Sequence, residues 1–195
     1  MSVITDKLKK LKEDVANTCS RCGRNEKSVQ IVVVTKTATL PAIKDVIRQG
    51  FYDLGENRVQ HLKQVSEEIA AFLKENHEDK TLPSRVNWHM IGHLQRNKAK
   101  QTLQLCEMVH SVDTLRLAEE LLPEVVVLDV MIPHMDGWEV LQRLRAKPET
   151  RHINIVICSI FNDPELAFSL GAADVLTKPL SQSALLDSLQ NLGLS

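Results

Sequence analysis

The sequence lacks an excess of charge of either sign, and it has no long apolar run. Lys and Arg number 24 against 25 Asp and Glu, which gives a formal net charge of -1. This balance gives no electrostatic support for binding nucleic acid or an anionic membrane, so we expect neither as a partner. No apolar stretch approaches the length that crosses a bilayer, and residues 1–11 are charged and amphipathic, unlike a secretion signal. We therefore expect a cytoplasmic location.

Cysteines are also scarce. The four present, Cys19, Cys22, Cys106 and Cys158, have no spacing typical of a disulfide framework, which fits a reducing environment. Cys19 and Cys22 have the spacing of a redox or metal-binding pair, but no second pair follows to complete a zinc site. We therefore expect a structural role for this pair, and we predict no metal site.

A regular alternation of strand and helix patterns fills most of the sequence. Apolar residues at helical spacing from Ile4 to Cys19 predict an opening amphipathic helix that ends near Gly23. Predicted strands follow at 30–36, 51–54, 86–92, 107–113, 125–130, 153–160 and 175–177. Predicted helices separate and follow them, at 41–49, 58–75, 97–106, 114–122, from 136, at 163–171 and from about 181. This order predicts an α/β fold with parallel strands and right-handed crossovers.

The first of these strands ends in a lysine. Residues 31–37, IVVVTKT, have the β-branched composition of a strand buried on both faces, and Lys36 stands where the strand opens into its loop. Ligands of α/β proteins bind at this end of parallel strands. There Lys36 would be partly desolvated, which suits formation of a Schiff base with a carbonyl compound. The alternative is a solvated loop lysine, the commoner outcome for this residue type.

The first part of the sequence resembles a known family. The pieces VVVTKT, GENRVQ, WHMIGHLQRNKAK and VHSVDTLRLAEEL are similar, in order and spacing, to the first half of the pyridoxal-phosphate homeostasis proteins. These proteins are single-domain barrels related to the N-terminal domain of alanine racemase. The resemblance implies that Lys36 forms the Schiff base with pyridoxal phosphate, and that Asn57, His89 and Ser111 line the ring side of the pocket. Without the resemblance, His89 would be interpreted as a histidine of the core.

The remaining residues, 122–195, resemble a different family. The stretch VVVLDVMIPHMDGWEVLQRLRAKPETRHINIVICS and the later GAADVLTKPL are similar to the C-terminal part of a response-regulator receiver domain, which has a flavodoxin-like fold. This resemblance implies that Asp129 is the phosphoacceptor, that Ser159 is the hydroxyl at the end of the next strand, and that Lys178 is the family's lysine before a proline. The seam between the two resemblances lies at Leu122-Pro123-Glu124.

Each part lacks groups that its family uses. The later strands of the homeostasis proteins, which supply Gly- and Ser-rich loops for the phosphate and an arginine near the pyridine nitrogen, have no counterpart in this sequence. Receivers carry extra carboxylates for Mg²⁺ after their first strand, whereas the first strand here ends in Thr35-Lys36-Thr37. We expect Asp129 to pair with Lys178 or Lys36 instead, and we expect neither family's activity.

We therefore predict one fused α/β domain, in which a half barrel (an N-terminal helix and four βα units, 1–121) joins a half flavodoxin-like part (three βα units, 122–195). The expected sheet is barrel-like with about seven strands, and an open doubly wound sheet is the alternative. We interpret the chain as an engineered fold chimera with a structural role, no enzymatic activity and no required cofactor. Weak pyridoxal phosphate binding at Lys36 and phosphorylation at Asp129 are the alternatives. Unpaired strand edges offer a surface for homodimerisation.

Overall fold

The chain forms two compact units in a computed structural model that describes residues 3–132, 135–160 and 163–193. The units are Met1–Asp113 and Thr114–Ser195. Their boundary precedes the helix at Leu115–Leu121, which the sequence resemblance assigns to the first part. No helix in the described ranges is long and apolar enough to span a bilayer.

Helices and strands alternate along most of the chain. The helices are α1 (Val3–Arg21), α2 (Leu40–Arg48), α3 (Val59–Glu75), α4 (Ala99–Leu103), α5 (Leu115–Leu121), α6 (Gly137–Ala146), α7 (Pro164–Ser169) and α8 (Gln182–Asn191). The strands are β1 (Val32–Val34), β2 (Asp53–Glu56), β3 (Asn87–Met90), β4 (Met108–Val109), β5 (Val125–Asp129), β6 (Met131–Ile132), β7 (Met135–Asp136), β8 (Asn154–Ser159) and β9 (Asp174–Thr177). Two short 3-10 helices lie at Glu26–Ser28 and Arg96–Lys98.

The first unit contains a four-stranded parallel sheet in the order β1-β2-β3-β4. Leu54 of β2 pairs in register with Val33 of β1 and with Trp88 of β3. Since side chains alternate between the faces of a strand, these three share one face, and all three belong to a core built with the apolar sides of α2 and α3. The opposite face carries Asp53 and His89.

The second unit contains a three-stranded parallel sheet in the order β5-β8-β9. Its core combines Ile155 and Ile157 of β8 with Leu141 and Leu144 of α6 and Ala167 of α7, all of them buried. Ala118 of α5 belongs to the same core, so α5 packs within the second unit. The short antiparallel pair β6–β7 between β5 and α6 was not predicted from the sequence.

Local sequence signals fix the ends of several helices. Pro41 lies in the first turn of α2, where a missing backbone N–H costs nothing. Gly50 follows the same helix with a φ of +82°, and Gly171 follows α7 with a φ of +95°. This left-handed conformation is the one that glycine adopts without steric cost, so both helices end where the sequence predicts.

The predicted α/β class with parallel βα units is confirmed. The predicted barrel closure is not confirmed, because the described strands form a four-stranded, a three-stranded and a two-stranded sheet, with no closed sheet among them. A first strand buried on both faces is wrong, because β1 is short and Val34 is 50% exposed. The cause is that β1 is the edge strand and turns only Val33 into the core. The packing of both parts as one domain stays a prediction.

Candidate functional site

Lys36 lies in a turn just beyond β1, and its side chain is exposed. The expectation of a partly desolvated amine is therefore wrong. The preceding residue, Thr35, is buried and points the other way, because its Oγ1 donates a hydrogen bond of 2.5 Å to Oε1 of Glu56. The backbone N–H of Thr35 donates to the carbonyl of Gly55 at 2.9 Å and continues the pairing with β2. Two hydrogen bonds therefore hold Thr35 in place, while the side chain of the next residue, Lys36, is exposed to solvent.

Glu56 is a buried carboxylate that the sequence analysis did not single out. Its side chain is 0% exposed, and its second oxygen lies 2.9 Å from Nδ1 of His61 in α3. Glu56 therefore ties the ends of β1 and β2 to the first turns of α3. The signal in the sequence was an acidic residue just beyond a predicted strand, at the end of a sheet where a buried charge requires partners.

Asn57 and Ser111 meet at Gly92. A Cβ atom on Gly92 would lie 2.5 Å from the carbonyl oxygen of Asn57, so only glycine permits this approach of the loops after β2 and β3. The hydroxyl of Ser111 donates a 3.0 Å hydrogen bond to the carbonyl of Gly92. The loops after β2, β3 and β4 are therefore joined at the carboxyl end of the sheet.

His89 is buried, and both nitrogens of its ring have partners. Nε2 lies 3.2 Å from Oδ1 of Asp53, and Nδ1 lies 2.9 Å from Nε2 of His110. Neither Asp53 nor His110 was predicted as a site residue. Within the described part of the chain, no hydrogen bond joins the Lys36 side chain to Asn57, His89 or Ser111. The four predicted residues thus share one sheet, but only Asn57 and Ser111 are brought together.

The second unit places its three predicted residues at the ends of three neighbouring strands. Asp129 ends β5, Ser159 ends β8 and is buried, and Lys178 follows β9. The backbone N–H of Lys178 donates to the carbonyl of Ser159 at 2.8 Å. Nζ of Lys178 lies 2.5 Å from Oδ2 of Asp129, so the predicted pairing of Asp129 with a lysine is confirmed for Lys178.

This pair shifts the titration of both partners. The hydrogen bond from Lys178 lowers the pKa of Asp129 below its ordinary value, against the opposing effect of burial, and the backbone N–H of Met131 adds to the lowering. The same hydrogen bond raises the pKa of Lys178. Both side chains remain more than a third exposed, so solvent screens the attraction. The pair is therefore charged over the neutral range.

The sequence model of the response regulator receiver domain matches residues 89–190, which is more than half of the chain. The chain belongs to the response regulator receiver domain family. The receiver match begins well before the predicted seam at Leu122, and the strand at its start is β3. The strand that ends at Lys36 was interpreted as the first strand of the receiver. That interpretation is wrong, because the receiver match begins in β3. The residues after β3, Ile91-Gly92-His93, also contain no carboxylate.

The receiver match is combined with similarity to a second family. The pyridoxal phosphate homeostasis protein of Aquifex aeolicus is 31% identical over 138 residues, which cover 69% of this chain and 55% of that protein. The chain thus spans about half the length of the curated relatives it matches. Since the two matched spans together exceed the length of the chain, they overlap around β3 and β4, and part of the sequence fits both families.

Two solved structures are similar to the chain. A protein of unknown function from Bifidobacterium adolescentis has a TM-score of 0.57 and 21% identity, covering 88% of this chain and 91% of that one. This likeness shows the fold alone. PipY from Synechococcus elongatus PCC7942, solved with PLP bound, has a TM-score of 0.41 and 21% identity, covering 83% of this chain and 95% of that one.

The Mg²⁺ used by receivers does not fit the groups around Asp129. Such an ion needs several oxygen ligands, chiefly carboxylates. Across the described ranges, no group of three or more His, Cys, Asp or Glu side chains could hold a metal ion. One oxygen of Asp129 also accepts from Lys178, and the other accepts from the backbone N–H of Met131 at 2.9 Å. The carboxylate is therefore satisfied by the protein itself.

Proposed function

We propose that this chain is an engineered fold chimera with a structural role and no evolved catalytic activity. The observation that carries the proposal is that two unrelated families match one chain of 195 residues. The match to the pyridoxal phosphate homeostasis proteins also spans only about half the length of those proteins. A barrel and a doubly wound sheet share the βα unit, so a splice of the two is physically reasonable. The lack of further carboxylates for Mg²⁺ around Asp129 in the described residues supports the absence of receiver chemistry.

The proposal is tested by thermal unfolding with the ligands of both families. A ligand that binds only the folded state raises the unfolding midpoint, and the rise grows with the logarithm of the ligand concentration above its Kd. We expect no rise with micromolar pyridoxal phosphate, and none with Mg²⁺ and acetyl phosphate. A saturable rise with either ligand, lost in Lys36→Ala or in Asp129→Asn respectively, would contradict the proposal.

A second candidate function is weak binding of pyridoxal phosphate through Nζ of Lys36. The observation that favours it is an accessible amine at a strand end in the part that resembles proteins named for pyridoxal phosphate homeostasis. Lys36 fits the aldehyde of this cofactor, which supplies an electrophilic carbon to a lysine amine. The sequence supplies no Gly- and Ser-rich loop for the phosphate, so affinity would be low.

Covalent trapping distinguishes this second candidate from the first. The protein is mixed with pyridoxal phosphate and reduced with borohydride, and the modified lysine is identified by peptide mass spectrometry. Selective labelling at Lys36, lost in Lys36→Ala and unchanged in the exposed-lysine control Lys80→Ala, would support the second candidate. Labelling scattered over surface lysines, or labelling that persists equally in Lys36→Ala, would eliminate it.

Phosphorylation at Asp129 is the remaining alternative, and family membership is its support. Phosphorylation requires a free carboxylate and neutralisation of the incoming phosphoryl charge. The poor fit of Mg²⁺ opposes it, and Nζ of Lys178 is the one positive charge that contacts Asp129 in the described residues. Incubation with acetyl phosphate and Mg²⁺, followed by mass spectrometry with Asp129→Asn as control, measures it directly. A phosphoryl adduct at Asp129 would replace the structural proposal with a signalling one.

A further inference from the structure

A row of three titratable side chains crosses the sheet of the first unit from β2 to the end of β4. It consists of Asp53, the buried His89 and the exposed His110. The contacts are 3.2 Å from Oδ1 of Asp53 to Nε2 of His89, and 2.9 Å from Nδ1 of His89 to Nε2 of His110. The row lies on the sheet face opposite Leu54 and Trp88, and of its members only His89 has a role in the resemblance to the pyridoxal-phosphate proteins.

Asp53 is held as an ionised acceptor at the inner end of this row. Gln30 and Asn87 donate amide hydrogen bonds to its Oδ1 at 2.8 and 3.0 Å. Burial alone would raise the pKa of Asp53, but the hydrogen bonds from Asn87, Gln30 and His89 together lower it. An ionised carboxylate can only accept hydrogen bonds. Its contact with His89 therefore places a proton on Nε2 of that ring.

The proton on Nε2 of His89 determines which of the ring nitrogens in the contact between His89 and His110 is the donor. In the neutral form of His89 the ring carries one N–H and one lone pair, so Nδ1 is then the acceptor. Nε2 of His110 must then be the donor in the 2.9 Å contact. The lone pair of His110 therefore lies on Nδ1, on an exposed side chain, while Asp53 and His89 can receive the proton of Nε2.

We propose that Nδ1 of His110 is a nucleophilic site for small activated acyl compounds such as aryl esters, with His89 and Asp53 as its proton relay. His110 is the catalytic residue of this activity, and His89 and Asp53 are positioning residues. Nothing in this activity depends on pyridoxal phosphate binding or on phosphorylation.

The reaction is ester hydrolysis in two steps. Nδ1 of His110 attacks the carbonyl carbon, a C–N bond forms, and the C–O bond to the aryloxide breaks. The proton on Nε2 of His110 passes to Nδ1 of His89, which places the positive charge beside the carboxylate of Asp53. Water then attacks the acyl carbon and the C–N bond breaks, so the acyl group leaves as the acid. The proton on His89 returns to Nε2 of His110, and the second proton of the water passes through solvent to the aryloxide, which becomes the phenol. The balance is ester plus water giving acid plus phenol.

Protonation of His110 blocks the attack. The groups facing His110 and His89 in the described contacts are Asp53 and the amides of Gln30 and Asn87. Burial, and then any positive charge on His89, lower the pKa of His110 below its ordinary value. The activity should therefore be lost as the pH falls through the lowered pKa of His110, and it should reach its plateau above that pKa.

The test measures hydrolysis of p-nitrophenyl acetate by the full chain, together with mass spectrometry of hydroxylamine-sensitive acetyl groups on histidines. We expect the rate to fall about a hundredfold in His110→Gln, the low end of what a positioned acid–base group contributes. The acetyl group should map to His110. His152→Gln removes an exposed histidine outside the row, and His93→Gln removes an exposed histidine 2.7 Å from Asp113. Both control variants should keep the wild-type rate.

The relay is tested separately through the pH profile. Asp53→Asn and His89→Gln should shift the midpoint of the pH–rate profile as well as lower the plateau, which loss of structure alone would not do. If either variant fails to fold by circular dichroism, His110→Gln still decides the proposal, because His110 is exposed. An unchanged rate in His110→Gln, or acetylation equally distributed over His93, His110 and His152, would overturn it.

Discussion

Lys36 in the first unit and Lys178 in the second both lie just beyond a parallel strand, but their amines have different surroundings. Nζ of Lys178 contacts Asp129 at 2.5 Å, from a strand two places away in its sheet. Lys36 is exposed, and the described contacts include no acidic partner for it. The same residue type at the same kind of position is thus an ion-pair partner in one unit and an available amine in the other. The difference is that Asp129 lies within reach of Lys178, whereas the carboxylate of Glu56 at the end of β2 is bonded to Thr35 and His61.

Both units also place a glycine against their candidate site. In the first unit, Gly92 lies against the backbone of Asn57, and in the second, Gly137 lies against the carbonyl of Asp129. In each case a Cβ atom would collide with backbone rather than with a flexible side chain. Close approach of loops at the carboxyl ends of strands is therefore common to the two units, although their polar groups differ.

The largest expected effects come from truncating the two cores. Leu54 in the first core and Leu141 in the second are fully buried, so Leu54→Ala and Leu141→Ala should each lower the free energy of unfolding by about 2–5 kcal/mol. The sequence has two tryptophans, and they report on the two units separately, Trp88 on the first and Trp138 on the second. Urea unfolding followed by fluorescence measures both.

The same experiment tests whether the chain unfolds as one domain. Trp138→Phe leaves only the reporter of the first unit, and Trp88→Phe leaves only that of the second. If the prediction of a single domain holds, Leu54→Ala and Leu141→Ala will each shift both reporters equally, as two-state unfolding requires. A shift confined to the reporter of the substituted unit would mean two independent domains.

Glu56→Ala tests the carboxylate of Glu56, which is fully buried in the first unit. The carboxylate of Asp129 in the second unit is, by contrast, partly exposed. The substitution leaves Thr35 and His61 without their acceptor, so we expect a loss of about 1–3 kcal/mol in urea unfolding. Glu56→Gln keeps one acceptor oxygen and is the matched control, with a smaller loss. Equal losses in the two variants would show that the negative charge, rather than the acceptor for Thr35, carries the stabilisation.

The helix and strand order was predictable because it depends on local patterns. Gly50 and Gly171 end their helices as predicted, and Asp136 accepts from the N–H of Trp138 at the start of α6. The ends of strands were less predictable, because β2 begins at Asp53, where pairing with Val32 and Asn87 begins, rather than at the apolar Phe51. Pairing partners that are distant in sequence fix a strand, and one sequence does not contain that information.

The contacts in the candidate sites also differ in whether the sequence alone could predict them. The contact between Lys178 and Asp129 was predictable from the receiver resemblance, which brings both residues to strand ends at the same edge of one sheet. The row from Asp53 through His89 to His110 was not, because it depends on the register that places His89 opposite Met108 and Asn87 opposite Asp53. A shift of one residue would turn these polar side chains to the helical face.

Gly92→Ala and Gly137→Ala test the shared loop geometry. Each adds a methyl group where backbone atoms must move, so we expect a loss of about 1–3 kcal/mol in either unit, measured by urea unfolding. Gly23→Ala is a control for the added methyl group, since a Cβ atom there meets nothing within 4 Å, although its φ of +66° adds backbone strain. Wild-type stability in Gly92→Ala would mean that the contact between Asn57 and Gly92 relaxes at no cost.

The smallest expected effect is on the pair that distinguishes the two lysines. Lys178→Met removes the hydrogen bond that lowers the pKa of Asp129, so that pKa should rise, as measured by carboxyl ¹³C NMR titration.

Because the folded pKa of Asp129 is lowered, its contribution to stability is present above the unfolded value and is lost as the pH falls through the folded pKa. Because the pKa of Lys178 is raised, its contribution is present below the unfolded value and is lost as the pH rises through the folded pKa. The pair therefore stabilises the fold between roughly pH 4 and pH 10, the unperturbed values of the two groups. Lys36→Met is the matched control, and an equal rise of the Asp129 pKa in that variant would mean that net charge, not the contact with Lys178, sets the titration.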